Sequence, residues 1–241
     1  FYNFHKKIAQ KRNLKIKSFS LVKKSSEINL HLVKKENMKY KVYINIDKMT
    51  KYFYINSNFE NHIKNLLAAV SIITTFKNIK ELDSNIFYNY KTPNGRGDIS
   101  TIRAFKKKIH LIDESYNSNP LSLKSAIKNF DKMNVNSSKK HVILGDMLEL
   151  GKYSKKLHVE ISKNINKTSI NSVNVIGEHI KETYRNINES KKGLILKKSS
   201  EIIDLIKNNI NNNDYLMIKG SNSTGLNKIT NNIKVGKINA L

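Results

Sequence analysis

Apolar residues along this chain follow three successive rhythms. Phe1, Phe4, Ile8 and Ala9 recur at helical spacing, so residues 1–12 are predicted to open the chain as a helix. From Leu14 to Asn56 the period shortens toward two. Leu14-Lys-Ile-Lys-Ser-Phe, Ile28-Asn-Leu-His-Leu-Val, Tyr40-Lys-Val-Tyr-Ile-Asn-Ile and Tyr52-Phe-Tyr-Ile read as strands of a β-meander. From Asn61 the helical period returns. It places Ile63, Leu66, Leu67, Val70 and Ile73 on one face and His62 and Asn65 together on another. A second short helix is expected over 79–88.

All nine glycines lie at or after Gly95, and both prolines at or after Pro93. That shift, with Pro and Gly punctuating Lys91-Thr-Pro-Asn-Gly-Arg-Gly97, predicts a linker there and two domains, 1–94 and 95–241. Beyond it strands near 99–105, 108–113, 140–145, 172–176, 193–196 and 214–219 alternate with helices near 120–133, 154–166, 178–186, 199–210 and 223–233. Such alternation predicts an α/β fold with a mostly parallel sheet and helices on its faces. The stretch Ile109-His-Leu-Ile-Asp-Glu-Ser-Tyr-Asn-Ser-Asn-Pro120 runs an apolar strand into polar side chains just where Pro120 starts a helix. Strand ends facing helix starts are where open α/β sheets place ligands.

Charge and composition narrow the partners. A net charge of +25 attracts phosphate backbones, but the lysines spread from Lys6 to Lys237 without forming a stripe. Zinc-finger spacing, an RNA-recognition signature and an aromatic platform among the basic residues are not read in the sequence, so specific nucleic-acid binding is not expected. The chain has no cysteine and no apolar run near the roughly 20 residues of a membrane helix, which fits a disulfide-free protein of the cytoplasm with no membrane span. Its first residue is Phe1, so the N-terminal part of a longer protein is expected to be missing.

Four segments stand in a telling order: Gly95-Arg96, Asp113-Glu-Ser-Tyr-Asn-Ser-Asn-Pro120, Gly145-Asp-Met-Leu-Glu-Leu-Gly151 followed by Ser154 and His158, and Lys219-Gly-Ser221. In these the chain resembles the Mur ligases, the ATP-dependent family that builds the peptide of bacterial cell-wall precursors. The second and third segments point to the branch that adds D-alanyl-D-alanine to UDP-N-acetylmuramoyl-tripeptide. The resemblance covers a partial central ATP-binding domain and a whole Rossmann-like C-terminal domain. It implies ATP and Mg²⁺ as cofactors and an acyl-phosphate intermediate.

The resemblance also suggests residue roles, each set beside a plainer one. Arg96, between two flexible glycines, offers a planar fork of donors to a nucleotide phosphate or ribose; otherwise it is a surface hinge residue. Glu114, where the family usually has Asp, accepts from ribose hydroxyls. Tyr116, Asn117 and Asn119 face substrate in a cleft between domains, or form an Asx turn and a helix cap before Pro120. His62 and Asn65 match a His-Asn pair and a second Asn at the adenine end of ATP, although Asn61-His62 stands in reversed order and Phe59 replaces a glycine. Asp146, Glu149 and His158 bind the ammonium of the incoming dipeptide or fix their own loop, with Ser154 read as the N-cap of the helix carrying His158. Lys219 and Ser221, at a strand end leading into a helix, hold a substrate carboxylate; Asn222 stands where the family often has Arg.

The sequence contains no Gly-x-x-x-x-Gly-Lys-[Ser/Thr] phosphate loop. By the resemblance that loop, the magnesium ligands and a modified lysine lie upstream, so this piece alone is expected to be catalytically inactive. Two other readings stay open: a non-catalytic remnant or half of a split ligase, and a basic nucleic-acid-binding protein.

Overall fold

The computed structural model describes residues 2–47, 49–90 and 93–236. The chain divides into two compact units, Phe1–Lys91 and Thr92–Leu241. The linker expected over Lys91–Gly97 lies, at Lys91 and Thr92, outside the described residues.

In the first unit α1 (Tyr2–Lys11) forms where its spacing predicts, with no buried residue. A four-stranded sheet follows in the order β1 (Phe19–Ser20), β2 (Ile28–Glu36), β3 (Lys39–Ile46), β4 (Met49–Ile55). The last three make the antiparallel meander. The strand expected over Leu14–Phe19 shrinks to the two residues of β1, which pair parallel with β2. Alternation in β3 buries Val42, Ile44 and Ile46, and α2 (Glu60–Ile73) sets Ile63, Leu66, Leu67 and Val70 into the same core with Phe53. Each such fully buried side chain stabilises the fold by about 1.5–3 kcal/mol. The helix expected over 79–88 is a single 3₁₀ turn, Ile79–Glu81. Asp83 ends it locally, its Oδ1 accepting from the Asn85 N–H at 2.7 Å.

The opposite face of this sheet corrects the reading that no aromatic platform lies among the basic residues. Tyr43, Tyr52 and Tyr54 sit in a row, ring centroids 5.8 and 5.6 Å apart. Lys41 Nζ lies 4.2 Å from the Tyr52 centroid, and Lys34 and Lys39 approach neighbouring rings. Period-two alternation brings these side chains together across three strands, which reading one segment at a time does not reveal.

The second unit is built on β5 (Asp98–Ala104), β6 (Lys107–Glu114), β7 (Lys140–Gly145), β8 (Ser172–Ile176), β9 (Lys192–Leu196) and β10 (Tyr215–Lys219). Their order in the sheet is β5-β6-β10-β7-β8-β9, parallel throughout except for β5. All six residues of β7 are buried because the sheet is covered on both faces. On one side α3 (Pro120–Asp131), α4 (Ser154–Ile165) and the short α5 (Lys181–Asn186) pack Leu123, Phe130 and Ile161 against Val142, Leu144 and Met217. On the other, α6 (Glu201–Asn209) and α7 (Leu226–Lys234) pack Ile202, Leu205, Leu226 and Ile233 against Ile109, Leu111 and Ile218. The chain leaves β6 for β7, moves outward to β9, and returns to insert β10 between them. The carboxyl ends of β6, β10 and β7 therefore lie side by side where the winding changes direction.

Candidate functional site

At that edge register decides which side chains meet. Lys219, the last residue of β10, is paired with Glu114 at the end of β6. Its Nζ lies 3.3 Å from Glu114 Oε2 and donates to the Asn117 carbonyl at 2.9 Å. Burial pushes the Glu114 carboxyl above its ordinary value, against the pull of Lys219. Burial likewise lowers the Lys219 ammonium, against the pull of Glu114, and the positive charge of Arg96 lowers it further.

Arg96 stacks its guanidinium 4.2 Å from the centre of the Tyr116 ring, and both side chains are exposed. The two turns that carry them are tied together. Tyr116 N–H donates to the Gly95 carbonyl at 3.0 Å, and Gly97 N–H to the Asp113 carbonyl at 2.7 Å. Gly95 and Gly97 are thus buried and bonded in place, not the flexible hinge expected of them. Gly95 has φ +76°, and a Cβ there would stand 2.8 Å from Tyr116 N, so only glycine fits. Gly145 and Gly220 answer a different need: a Cβ on either would come within 2.7 Å of Leu226 Cδ1, where α7 begins.

The remaining residues divide by what already holds them. Asn119 caps α3: its Oδ1 accepts from Ser122 N–H at 2.8 Å, while Ser122 Oγ accepts from the Asn119 N–H at 3.1 Å. Asn117 is exposed and accepts from the Ser118 N–H. Ser221 Oγ donates to the Ser118 carbonyl at 3.2 Å and accepts from Leu148 N–H at 3.0 Å, clamping the loops after β6, β7 and β10.

Asp146 uses both carboxylate oxygens on the backbone N–H groups of Glu178 (3.1 Å) and Ile180 (2.7 Å), which fixes its loop. His158 is fully buried. Its Nε2 accepts from the Met147 N–H at 3.1 Å, so Nδ1 carries the proton and donates to the Ser154 carbonyl at 2.8 Å. Burial lowers its pKa, and the tautomer is fixed as neutral. Ser154 is not the N-cap expected of it. The 3₁₀ turn Gly151–Tyr153 leads directly into α4, and Ser154 is already helical. Glu149 sits at φ +63° in the same loop.

In the first unit, His62 and Asn65 stand on α2, Asn65 exposed and His62 half-buried with its ring 5.7 Å from that of Phe59. The structure gathers Arg96, Glu114, Tyr116, Asn117, Lys219 and Ser221 at one sheet edge, and His62 with Asn65 on another element.

Two residues central to this edge carry no motif. Asp98 accepts from the Gly95 N–H at 2.9 Å through Oδ1, and Lys234 on α7 bridges Asp98 and Asp113. The Asn-Gly-Arg-Gly-Asp run offered a local signal for Asp98. Nothing near Lys234 in sequence marks it.

A doubly wound sheet with paired acid and base at its carboxyl edge, beside an arginine stacked on a tyrosine, defines a Rossmann-like α/β domain. Residues 100–222, about half the chain, match the family described as Mur ligase, glutamate ligase domain, and the chain belongs to that family. A relative from Buchnera aphidicola (subsp. Baizongia pistaciae), named UDP-N-acetylmuramoyl-tripeptide--D-alanyl-D-alanine ligase, is 30% identical over 224 residues, 91% of this chain and 46% of the relative. A protein of the same name from Buchnera aphidicola (subsp. Acyrthosiphon pisum) is 36% identical over 126 residues, 51% of this chain and 26% of that protein. The fold matches the crystal structure of the MurF ligase of Thermotoga maritima in complex with ADP with a TM-score of 0.76 at 17% identity, over 96% of this chain and 52% of that one. The chain thus spans about half the length, or less, of the proteins it matches.

Proposed function

We propose that this chain is the C-terminal portion of a ligase that joins D-alanyl-D-alanine to UDP-N-acetylmuramoyl-tripeptide in the cytoplasm, using ATP. The observation that carries this reading is the alignment over 91% of the chain to a protein bearing that name. In the reaction the tripeptide carboxylate takes the γ-phosphoryl group to form an acyl phosphate. The dipeptide amine then attacks its carbonyl, and phosphate leaves.

The residues here supply binding and orientation. Arg96, pre-stacked on Tyr116, presents its fork to the nucleotide phosphate or ribose. Glu114 accepts from ribose hydroxyls, with Lys219 holding it in place. Asn65 and His62 serve the adenine end. Tyr116, Asn117 and Asn119 face the peptide substrates, the buried Lys219 and Ser221 hold the loops of that edge in place for a substrate carboxylate, and Asp146 and His158 shape the loop that receives the dipeptide by fixing its backbone. Among the described residues no group of three or more His, Asp or Glu side chains stands where it could hold a metal ion. The sequence also lacks a phosphate-cradling loop, so phosphoryl transfer needs residues outside it.

Growth tests this reading. Expressed as its gene encodes it, the protein should restore growth to a bacterium depleted of its own D-alanyl-D-alanine-adding ligase. Stable expression with no restoration, while a ligase from a related bacterium restores it, contradicts the proposal.

A further inference from the structure

One ammonium bridges the two carboxylates that fix the turns next to Arg96 and Glu114. Lys234, the last residue of α7, reaches Asp98 Oδ2 and Asp113 Oδ2 together. The other oxygen of each carboxylate fixes a turn. Asp98 Oδ1 accepts from the Gly95 N–H at 2.9 Å, while Asp113 Oδ1 accepts from the Ser115 N–H at 3.0 Å and the Ser115 hydroxyl at 2.5 Å. Asp98 and Asp113 are also register partners on β5 and β6. Like charges placed directly opposite repel, and Asp113 is 1% exposed, so water cannot screen it. Without the cation these two carboxylates would push apart the strand ends that position Arg96 and Glu114.

We propose that Lys234 is a positioning residue: by holding Asp98 against Asp113 it sets Arg96 and Glu114 in the register that receives the nucleotide. The nucleotide half of this statement rests on the function proposed above; the structural half does not. Lys234 touches no ligand in this account and acts only through the two turns.

Two measurements separate these halves. In the 241-residue chain, hydrogen exchange of Lys234→Met should speed up at the Gly97 and Tyr116 amides while α4 and α6 stay protected, and Lys234→Arg should restore protection. Should Lys234→Met fail to fold, adding Asp98→Asn relieves the like-charge pair and should recover a folded protein. Unchanged protection of those two amides in any folded Lys234→Met protein overturns the proposal.

In the protein as its gene encodes it, Lys234→Met should raise the KM for ATP roughly tenfold, the size of one lost charge-assisted hydrogen bond from a displaced Arg96, with the KM for UDP-N-acetylmuramoyl-tripeptide unchanged. Combined with Arg96→Ala it should add less than about twofold, because the two act as one unit. Multiplying effects, or equal changes in both KM values, would show a merely structural lysine. An inactive wild type would defeat the proposed function and leave the exchange result to decide the structural role.

Discussion

At the scale of single residues, the carboxyl edge of the second unit holds its charges in fixed pairs, Lys219 with Glu114 and Lys234 with Asp98 and Asp113. Arg96 is the side chain whose chemistry is hardest to replace, since its planar fork is already laid flat against Tyr116. Arg96→Ala should raise the KM for ATP roughly tenfold, the size of one lost charge-assisted hydrogen bond, and Arg96→Lys should not recover it; steady-state kinetics at varied ATP would show both. His158 makes a prediction about pH. Its folded pKa is lowered by burial from an ordinary 6.5, so it stays neutral in the folded chain. Below about pH 6.5 the unfolded chain takes up a proton that the folded one refuses. Its stabilising contribution is therefore full above pH 6.5 and is lost as the pH falls toward the folded value. His141, also lowered by burial in spite of Asp214, acts in the same direction. The urea midpoint should drop as pH falls from 7 toward 5, and His158→Leu, though less stable because Met147 N–H loses its acceptor, should flatten that slope. An unchanged slope would remove His158 as a source.

At the scale of elements, what was legible in the sequence was local. Asn119-Pro120 announces the start of α3 because the cap and the fixed proline φ act within four residues, and the structure shows the full capping box. Asn119→Ala should cost about 1 kcal/mol in chemical denaturation, whereas Asn119→Asp should cost far less; equal losses would mean that the cap contributes little. Local pattern misleads where competing contacts decide. Leu14 and Ile16 alternate with lysines, yet only Phe19 and Ser20 find a partner strand. Ile79, Leu82 and Ile86 sit near helical spacing, but the turn that Asn78 caps at its start ends at Glu81, and Asp83 then offers its side chain to the Asn85 N–H instead of continuing the helix. At the edge, Glu114 and Lys219 could each be named from their own strand ends. That they meet depends on β10 inserting beside β6, and the Lys234 bridge spans 121 and 136 positions, a distance over which no periodicity speaks.

At the scale of the whole molecule, a net charge of +25 over 241 residues means that long-range repulsion opposes the folded state. Surface pairs such as Lys64 with Glu60 are exposed and offset little of it. The melting temperature should therefore rise as salt is raised to about 0.15 M, where the screening length falls to about 8 Å; a flat or falling curve would mean that the charges are already compensated. No helix among the described residues is long and apolar enough to cross a membrane. The chain belongs to the Mur ligase family and brings Arg96, Glu114, Tyr116 and Lys219 together at one edge of a doubly wound sheet; the proposal is that this edge binds and orients reactants. Its most direct test is a mass-spectrometric assay of the protein as its gene encodes it, supplied with UDP-N-acetylmuramoyl-tripeptide, D-alanyl-D-alanine, ATP and Mg²⁺. The account predicts the extended pentapeptide product with one phosphate released per bond, and neither from residues 1–241 alone; phosphate release by the 241-residue chain alone, or no product from the protein as encoded, would contradict it.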